Sequence, residues 1–160
     1  MMNGICLRYA SNKVEAEDVL QDAFVKAFKN LSAYSGQGPL GAWLRKIAVN
    51  TALEQYRKNK SLKNFGRMID ITETKLEIDD NAIEQLELED LLAKIQNLPS
   101  GFRTVFNLYA VEGYTHKEIG ELLGVSDGTS KSQYSRARVI LRDMIQQEVE
   151  LEQKKLNYAK

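Results

Sequence analysis

A chain of 160 residues that holds one cysteine, one histidine, one tryptophan and two prolines is short of several kinds of chemistry. A single cysteine, Cys6, excludes a disulfide within the chain. With His116 as the only imidazole, no thiolate or imidazole cluster for a metal can form either, so neither a metal nor a cofactor is expected. Cys6 reads as a small buried apolar residue. Long apolar runs are missing: nothing approaches the roughly 18 consecutive apolar residues that span a bilayer, and MMNGICLRYA lacks a secretory charge and cleavage pattern. The expectation is a soluble globular protein without membrane insertion, cytoplasmic by default. There is no phosphate-cradling glycine motif, which together with one His and one Cys leaves little for catalysis; the chain is not expected to be an enzyme.

Net charge is absent too, with 22 basic residues against 22 acidic, which argues against a protein wrapped in nucleic acid. That zero hides an uneven distribution. Residues 1–60 carry nine Lys/Arg against five Asp/Glu, residues 61–90 three against nine, and residues 91–160 ten against eight. Two basic ends therefore flank an acidic middle. The middle, with its run LEIDDNAIEQLELED, reads as a solvated linker. Its EIDDN lacks the spaced ligands and turn glycine of a calcium loop.

What the sequence has in quantity is helical periodicity, and an all-α chain with 43% hydrophobic residues and a modest core follows. Ala16, Val19, Leu20, Ala23, Phe24, Ala27, Phe28 and Leu31 step along one stripe, predicting a buried helix face. The glycines and proline of SAYSGQGPLG break that helix. A second long helix from Ala42 turns Trp43, Leu44, Ile47, Ala48, Leu53 and Tyr56 inward and leaves Arg45, Lys46, Arg57, Lys58 and Lys60 mostly outside. The rear reads as three helices and a tail. The first starts near Pro99, packs Val105, Phe106 and Tyr109, and closes at Gly113. The second has Thr115 at its N-cap in a capping box with Glu118, and buries Ile119, Leu122 and Leu123 up to Gly124. Ser126 caps the third, and Val125 is placed to plug the core between the two.

A short helix, a turn at GVS and a second helix make a helix-turn-helix, whose second member lies in the major groove of duplex DNA. At 100° per residue, Ser130, Tyr134, Ala137, Leu141 and Met144 share one face of that member, and Gly128, Ser132, Ser135 and Arg136 point away. Between Gly128 and Arg142 there is no acid. Arg136 suits a guanine edge, with Ser132 and Gln133 beside it for neighbouring bases. Lys131, Arg138 and Arg142 suit phosphates, which fix register without reading sequence. Thr115, His116 and Lys117 open the preceding helix, where backbone N–H groups also attract phosphate.

The segments EAEDVLQDAFVKAFKNL, GAWLRKIAVNTALEQYRK and LPSGFRTVFNLYAVEGYTHKEIGELLGVSDGTSKSQYSRAR together resemble a bacterial sigma factor of the extracytoplasmic-function group of the sigma-70 family. The resemblance runs nearly to Met144, with two distinctive blocks in family order around an unmatched linker. It implies an all-α fold of two small domains. Residues 1–60 would be sigma region 2, 61–90 a flexible acidic linker, 91–145 the region 4 helix-turn-helix, and 146–160 a tail. It implies a factor that lends promoter specificity to core RNA polymerase in transcription initiation. Asp18, Gln21, Asp22 and Phe24 in DVLQDAFVKAF would then dock on the clamp coiled coil of the largest polymerase subunit; on pattern alone Phe24 belongs to the core stripe. The loop YSGQGPLG and the helix after it resemble the part that captures an unpaired base of the minus-10 element on the nontemplate strand, with Arg45, Lys46 and Asn50 as strand contacts and Trp43 as packing. The rear helix would read the minus-35 element in duplex form through Lys131, Ser132, Gln133, Ser135 and Arg136. Family members are often held inactive by an anti-sigma protein, which makes one an expected partner beside polymerase and promoter DNA.

Departures from the family pattern are also visible. The chain starts inside what is usually a longer first helix, which would expose apolar faces of Val19 and Phe24. Ser130 stands where the family often has an apolar residue and Gln133 where it often has a cation. The tail QQEVELEQKKLNYAK matches nothing specific and reads as an extension of the last helix. Two other functions fit parts of the pattern. An autonomous helix-turn-helix regulator would footprint operator DNA unaided, and an interaction protein for polymerase or an anti-sigma factor would bind core enzyme without starting transcripts.

Overall fold

The computed structural model describes residues 1–63 and 88–158. Most of the predicted acidic linker lies outside the described residues. Its two ends are helical instead, because helices from either side run into it. The chain divides into two compact units, Met1–Thr72 and Glu73–Lys160, and among the described residues every regular element is helical.

The front unit contains α1 (Met2–Tyr9), α2 (Lys13–Lys29), a 3-10 turn at Leu31–Ala33 and α3 (Leu40–Lys63). The start of α2 is fixed by Asn12, whose side chain accepts the Glu15 N–H at 2.8 Å. Glu15 in turn accepts from the Ser11 N–H at 2.6 Å and from Asn59 on α3 at 2.9 Å. An acid in the first turn, with Lys26 and Lys29 in the last, suits the helix dipole. The core between the three helices is built from Ile5, Cys6, Val19, Val49 and Leu53 with the alanines Ala16, Ala23, Ala48 and Ala52, small side chains that let the helix axes come close. Burial raises the pKa of the Cys6 thiol, as expected of an inert cysteine.

Two sequence expectations fail here. Phe24, Phe28 and Leu31 are not part of the buried stripe, being 44%, 74% and 53% exposed, because the buried face of α2 is the narrower line Ala16, Val19, Ala23 and Ala27. Val19 is covered and only 4% exposed, since α1 packs against both α2 and α3.

The rear unit contains α4 (Leu88–Asn97), α5 (Ser100–Phe106) running into a π turn at Asn107–Val111, α6 (His116–Leu123) and α7 (Asp127–Tyr158). Helix α4 was not foreseen as a separate element. Its Ile95, and Leu98 just past its end, enter the core with Phe106, Ala137 and Leu141. Each such buried side chain contributes about 1.5–3 kcal/mol, enough to hold a ten-residue helix that would not persist alone. Arg103 is buried and donates to the carbonyls of Gln96 at 2.5 Å and Leu98 at 3.4 Å, a cation at the C-terminal end of α4. The predicted tail does extend the last helix, and Glu148 on that extension pairs with Lys94 on α4.

Candidate nucleic-acid and polymerase interfaces

The turn between α6 and α7 is fixed by local chemistry. Thr115 accepts the Glu118 N–H on its hydroxyl at 3.3 Å while the Glu118 carboxylate accepts the Thr115 N–H at 2.8 Å, the capping box the spacing predicts. The Thr115 N–H, and the Thr115 hydroxyl donating to the same carboxylate at 2.7 Å, hold the Glu118 carboxyl below its ordinary value. Gly124 ends α6 with φ +66°, a left-handed residue where a side chain would strain the backbone. Ser126 then caps α7 by accepting the Thr129 N–H at 3.0 Å. Gly120 packs under this turn so closely that a Cβ would stand 2.8 Å from the Val125 carbonyl oxygen.

With the turn fixed, α7 buries the predicted face: Ser130, Ala137 and Leu141 are inaccessible, with Tyr134 and Met144 half-buried. The opposite face carries the predicted readers. Lys131 is exposed, and Ser132, Gln133, Ser135, Arg136, Arg138 and Arg142 are partly exposed. Several are already engaged. Lys131 pairs with Asp127 one turn back at 2.7 Å, Arg142 with Asp143 at 3.5 Å, and the Ser132 hydroxyl donates to the Thr129 carbonyl at 3.0 Å. The Arg138 guanidinium lies 5.8 Å from the Tyr134 ring centroid.

At the start of α6, Lys117 is exposed, and the Thr115 N–H faces the Glu118 carboxylate. His116 does something the sequence did not reveal. Its ring stacks on Tyr109 at 4.2 Å and 9°, and its Nδ1 meets the Ser130 hydroxyl at 2.9 Å. The polar residue at 130 is thus satisfied by a histidine fourteen positions earlier, and burial of the ring pushes the His116 pKa down. Tyr109, expected in the core, lies in the π turn, is 39% exposed and covers the histidine ring instead.

In the front unit a cavity of about 300 Å³ opens where the loop meets α3, lined by residues that include Tyr34, Gln37, Gly38, Pro39, Trp43 and Lys46. Trp43, expected as packing, is half-buried and lines the cavity with its ring 5.4 Å from that of Tyr34. Of the three predicted strand contacts only Lys46 lines this cavity; Arg45 and Asn50 are exposed elsewhere on α3. The helix itself starts two residues earlier than the sequence suggests, at Leu40. On α2, Asp18, Gln21, Asp22 and Phe24 are all exposed, as are Val25 and Phe28, which were not among the expected polymerase contacts.

A three-helix unit with a cavity beside its last helix, and a second unit built around a helix-turn-helix, define the class: an all-α protein of two helical modules. Comparison with known proteins gives this class its family. Residues 2–62 match the family model for Sigma-70 region 2, and residues 88–141 the model for Sigma-70, region 4. The chain is 31% identical over 151 residues to the ECF RNA polymerase sigma factor SigW of Bacillus subtilis, covering 88% of this chain and 81% of that one. It is 30% identical over 153 residues to the ECF RNA polymerase sigma-E factor of Haemophilus influenzae, covering 89% and 80%. The fold is similar to that of the sigma factor RpoE from Bartonella quintana, solved with the anti-sigma factor NepR, with a TM-score of 0.54 at 24% identity over 91% of this chain and 89% of that one. The chain belongs to the extracytoplasmic-function group of the sigma-70 family, the factors that direct transcription initiation.

Proposed function

We propose that this sigma factor divides initiation between its two units and acts by binding alone, not as an enzyme. The exposed face of α2, with Asp18, Gln21, Asp22, Phe24, Val25 and Phe28, is the surface for core RNA polymerase. The cavity beside Trp43 receives an unpaired minus-10 base, with Lys46 at its edge and Arg45 and Asn50 along the strand. Helix α7 reads duplex minus-35 DNA through Ser132, Gln133, Ser135 and Arg136, with Lys131, Arg138, Arg142, Lys117 and the start of α6 at the phosphates. Extracting a base costs a few kcal/mol, which a pocket with positive flanks recovers only on the separated strand, so melting needs no chemical step.

The observation that carries this reading is the face of α2, where large apolar side chains stand uncovered among carboxylates. A protein reading DNA through α7 alone has no use for it; a protein that rides on polymerase does. An anti-sigma protein is a further partner by analogy with the Bartonella quintana complex. No helix among the described residues is long and apolar enough to cross a membrane, and the work proposed belongs in the cytoplasm.

Run-off transcription with purified core polymerase on a promoter library tests the proposal. Specific transcripts are expected with core enzyme and this chain together, and specific DNA binding should be weak without polymerase. A footprint on DNA by the chain alone would favour an operator-binding regulator. Capture of core enzyme without transcripts would favour an interaction protein.

A further inference from the structure

Between the 3-10 turn and α3 the chain passes through Gly36 and Gly38, at φ +73° and +92°, with open space where a Cβ would stand at each. A segment of that kind loses much conformational freedom when it is held in one shape. The Tyr34 hydroxyl donates to the Gly38 carbonyl at 2.7 Å and closes residues 34–38 into a ring. Inside that ring the bond from the Gln37 N–H to the Ser35 hydroxyl is long, at 3.4 Å. The Tyr34 ring also rests against Trp43, so the closed loop is anchored on α3. Loop and helix face each other across the 300 Å³ cavity, the loop giving Tyr34, Gln37 and Gly38, the helix Trp43 and Lys46.

We propose that Tyr34 is a positioning residue, its hydroxyl latching the loop so that the wall of the base pocket is formed before the strand arrives. The inference rests on the reading of this cavity as the receptor for an unpaired base. Phenylalanine at position 34 would keep the contact with Trp43 and the apolar lining while deleting the tie. The loop would then have to order during capture, and the cost of one neutral hydrogen bond, about fivefold in affinity, would appear in strand binding.

The test uses holoenzyme assembled from core polymerase and the full chain, with single-stranded nontemplate fragments of a promoter selected by run-off, each carrying 2-aminopurine at one position. Wild type should change the fluorescence at one position. Tyr34→Phe should act on that same position with about fivefold weaker binding, leaving minus-35 duplex binding and melting temperature unchanged. Gly38→Ala, strained at φ +92°, should weaken capture through the same tie, so the double variant should lose no more than the worse single one. Equal binding by Tyr34→Phe and wild type overturns the latch while leaving base capture in place. Additive losses overturn it too, as does a fall in melting temperature and minus-35 binding alongside strand binding. If wild-type holoenzyme alters no 2-aminopurine position, base capture itself is wrong, and the latch goes with it.

Discussion

His116 sits at the joint of the helix-turn-helix with its ring on Tyr109 and its Nδ1 against Ser130, and this arrangement favours the neutral ring. Burial lowers its pKa, with Asp127 opposing and Lys131 assisting. Below the ordinary value of 6.5 the unfolded chain then binds more protons than the folded one, so stability present above that pH is lost as pH falls through it. The loss levels off once the folded ring protonates as well. Thermal melting of the chain between pH 7.5 and 5.5 should show a falling midpoint, and His116→Gln should flatten this part of the profile. Glu118, whose pKa is lowered by its bonds to Thr115, acts in a separate window below about 4.5. On the outer face, Arg136→Ala should cost roughly 1–3 kcal/mol on a cognate minus-35 site and relax preference there. Lys131→Ala should weaken cognate and scrambled DNA alike and flatten the salt dependence. Holoenzyme titrations over a range of salt would separate the two roles; equal behaviour of both variants on both DNAs would defeat the division. The arginine and lysine types were legible from their place in the acid-free stretch between Gly128 and Arg142. The engagement of Lys131 with Asp127 depends on rotamers, which a pattern of types does not specify.

At the scale of the element, the turn after α6 is written almost entirely in local chemistry: a capping box, a left-handed glycine and a serine cap, each of which the sequence displays. Gly120 is the exception. In an exposed helix interior, Gly→Ala commonly stabilises by up to about 1 kcal/mol. Here the new methyl would meet the Val125 carbonyl at 2.8 Å, and backbone must move. Gly120→Ala is expected to destabilise the rear unit by roughly 1–3 kcal/mol, measured as a lower melting midpoint, and to weaken minus-35 binding by shifting α6 against α7. A gain in stability would show that the turn yields freely. Helix α4 was hidden for the opposite reason. Its first residues continue an acidic run that reads as solvated, and only the docking of Ile95 and Leu98 on Phe106 and Leu141 makes it part of the core.

The chain carries two small helical units, to which the proposed function gives different tasks, and the uncovered face of α2 is the surface it gives to polymerase. Phe28, 74% exposed, contributes little to the fold, so Phe28→Ala should leave melting within about 0.5 kcal/mol of wild type. Association with core polymerase should nevertheless weaken by roughly 2 kcal/mol, as for an aromatic at the centre of an interface. Pull-down and titration with core enzyme would measure this; unchanged affinity would move the polymerase surface away from α2. The stripe drawn through Ala16, Phe24 and Phe28 failed here because an apolar residue at helical spacing faces either a core or a partner, and periodicity does not distinguish them.

By itself the sequence determined the helical class, the two blocks around an acidic middle, the caps and glycines of the helix-turn-helix, and which face of α7 packs inward, because each of these follows from residues within about one or two helical turns of one another. Tertiary structure alone decided which apolar residues of α2 stay uncovered, that Ser130 is answered by His116, that Arg103 meets the end of α4, and that Tyr34 closes its loop beside Trp43. Except for the loop closure, these depend on contacts between separate elements. In the loop, two glycines leave the backbone so many conformations that spacing alone cannot select one.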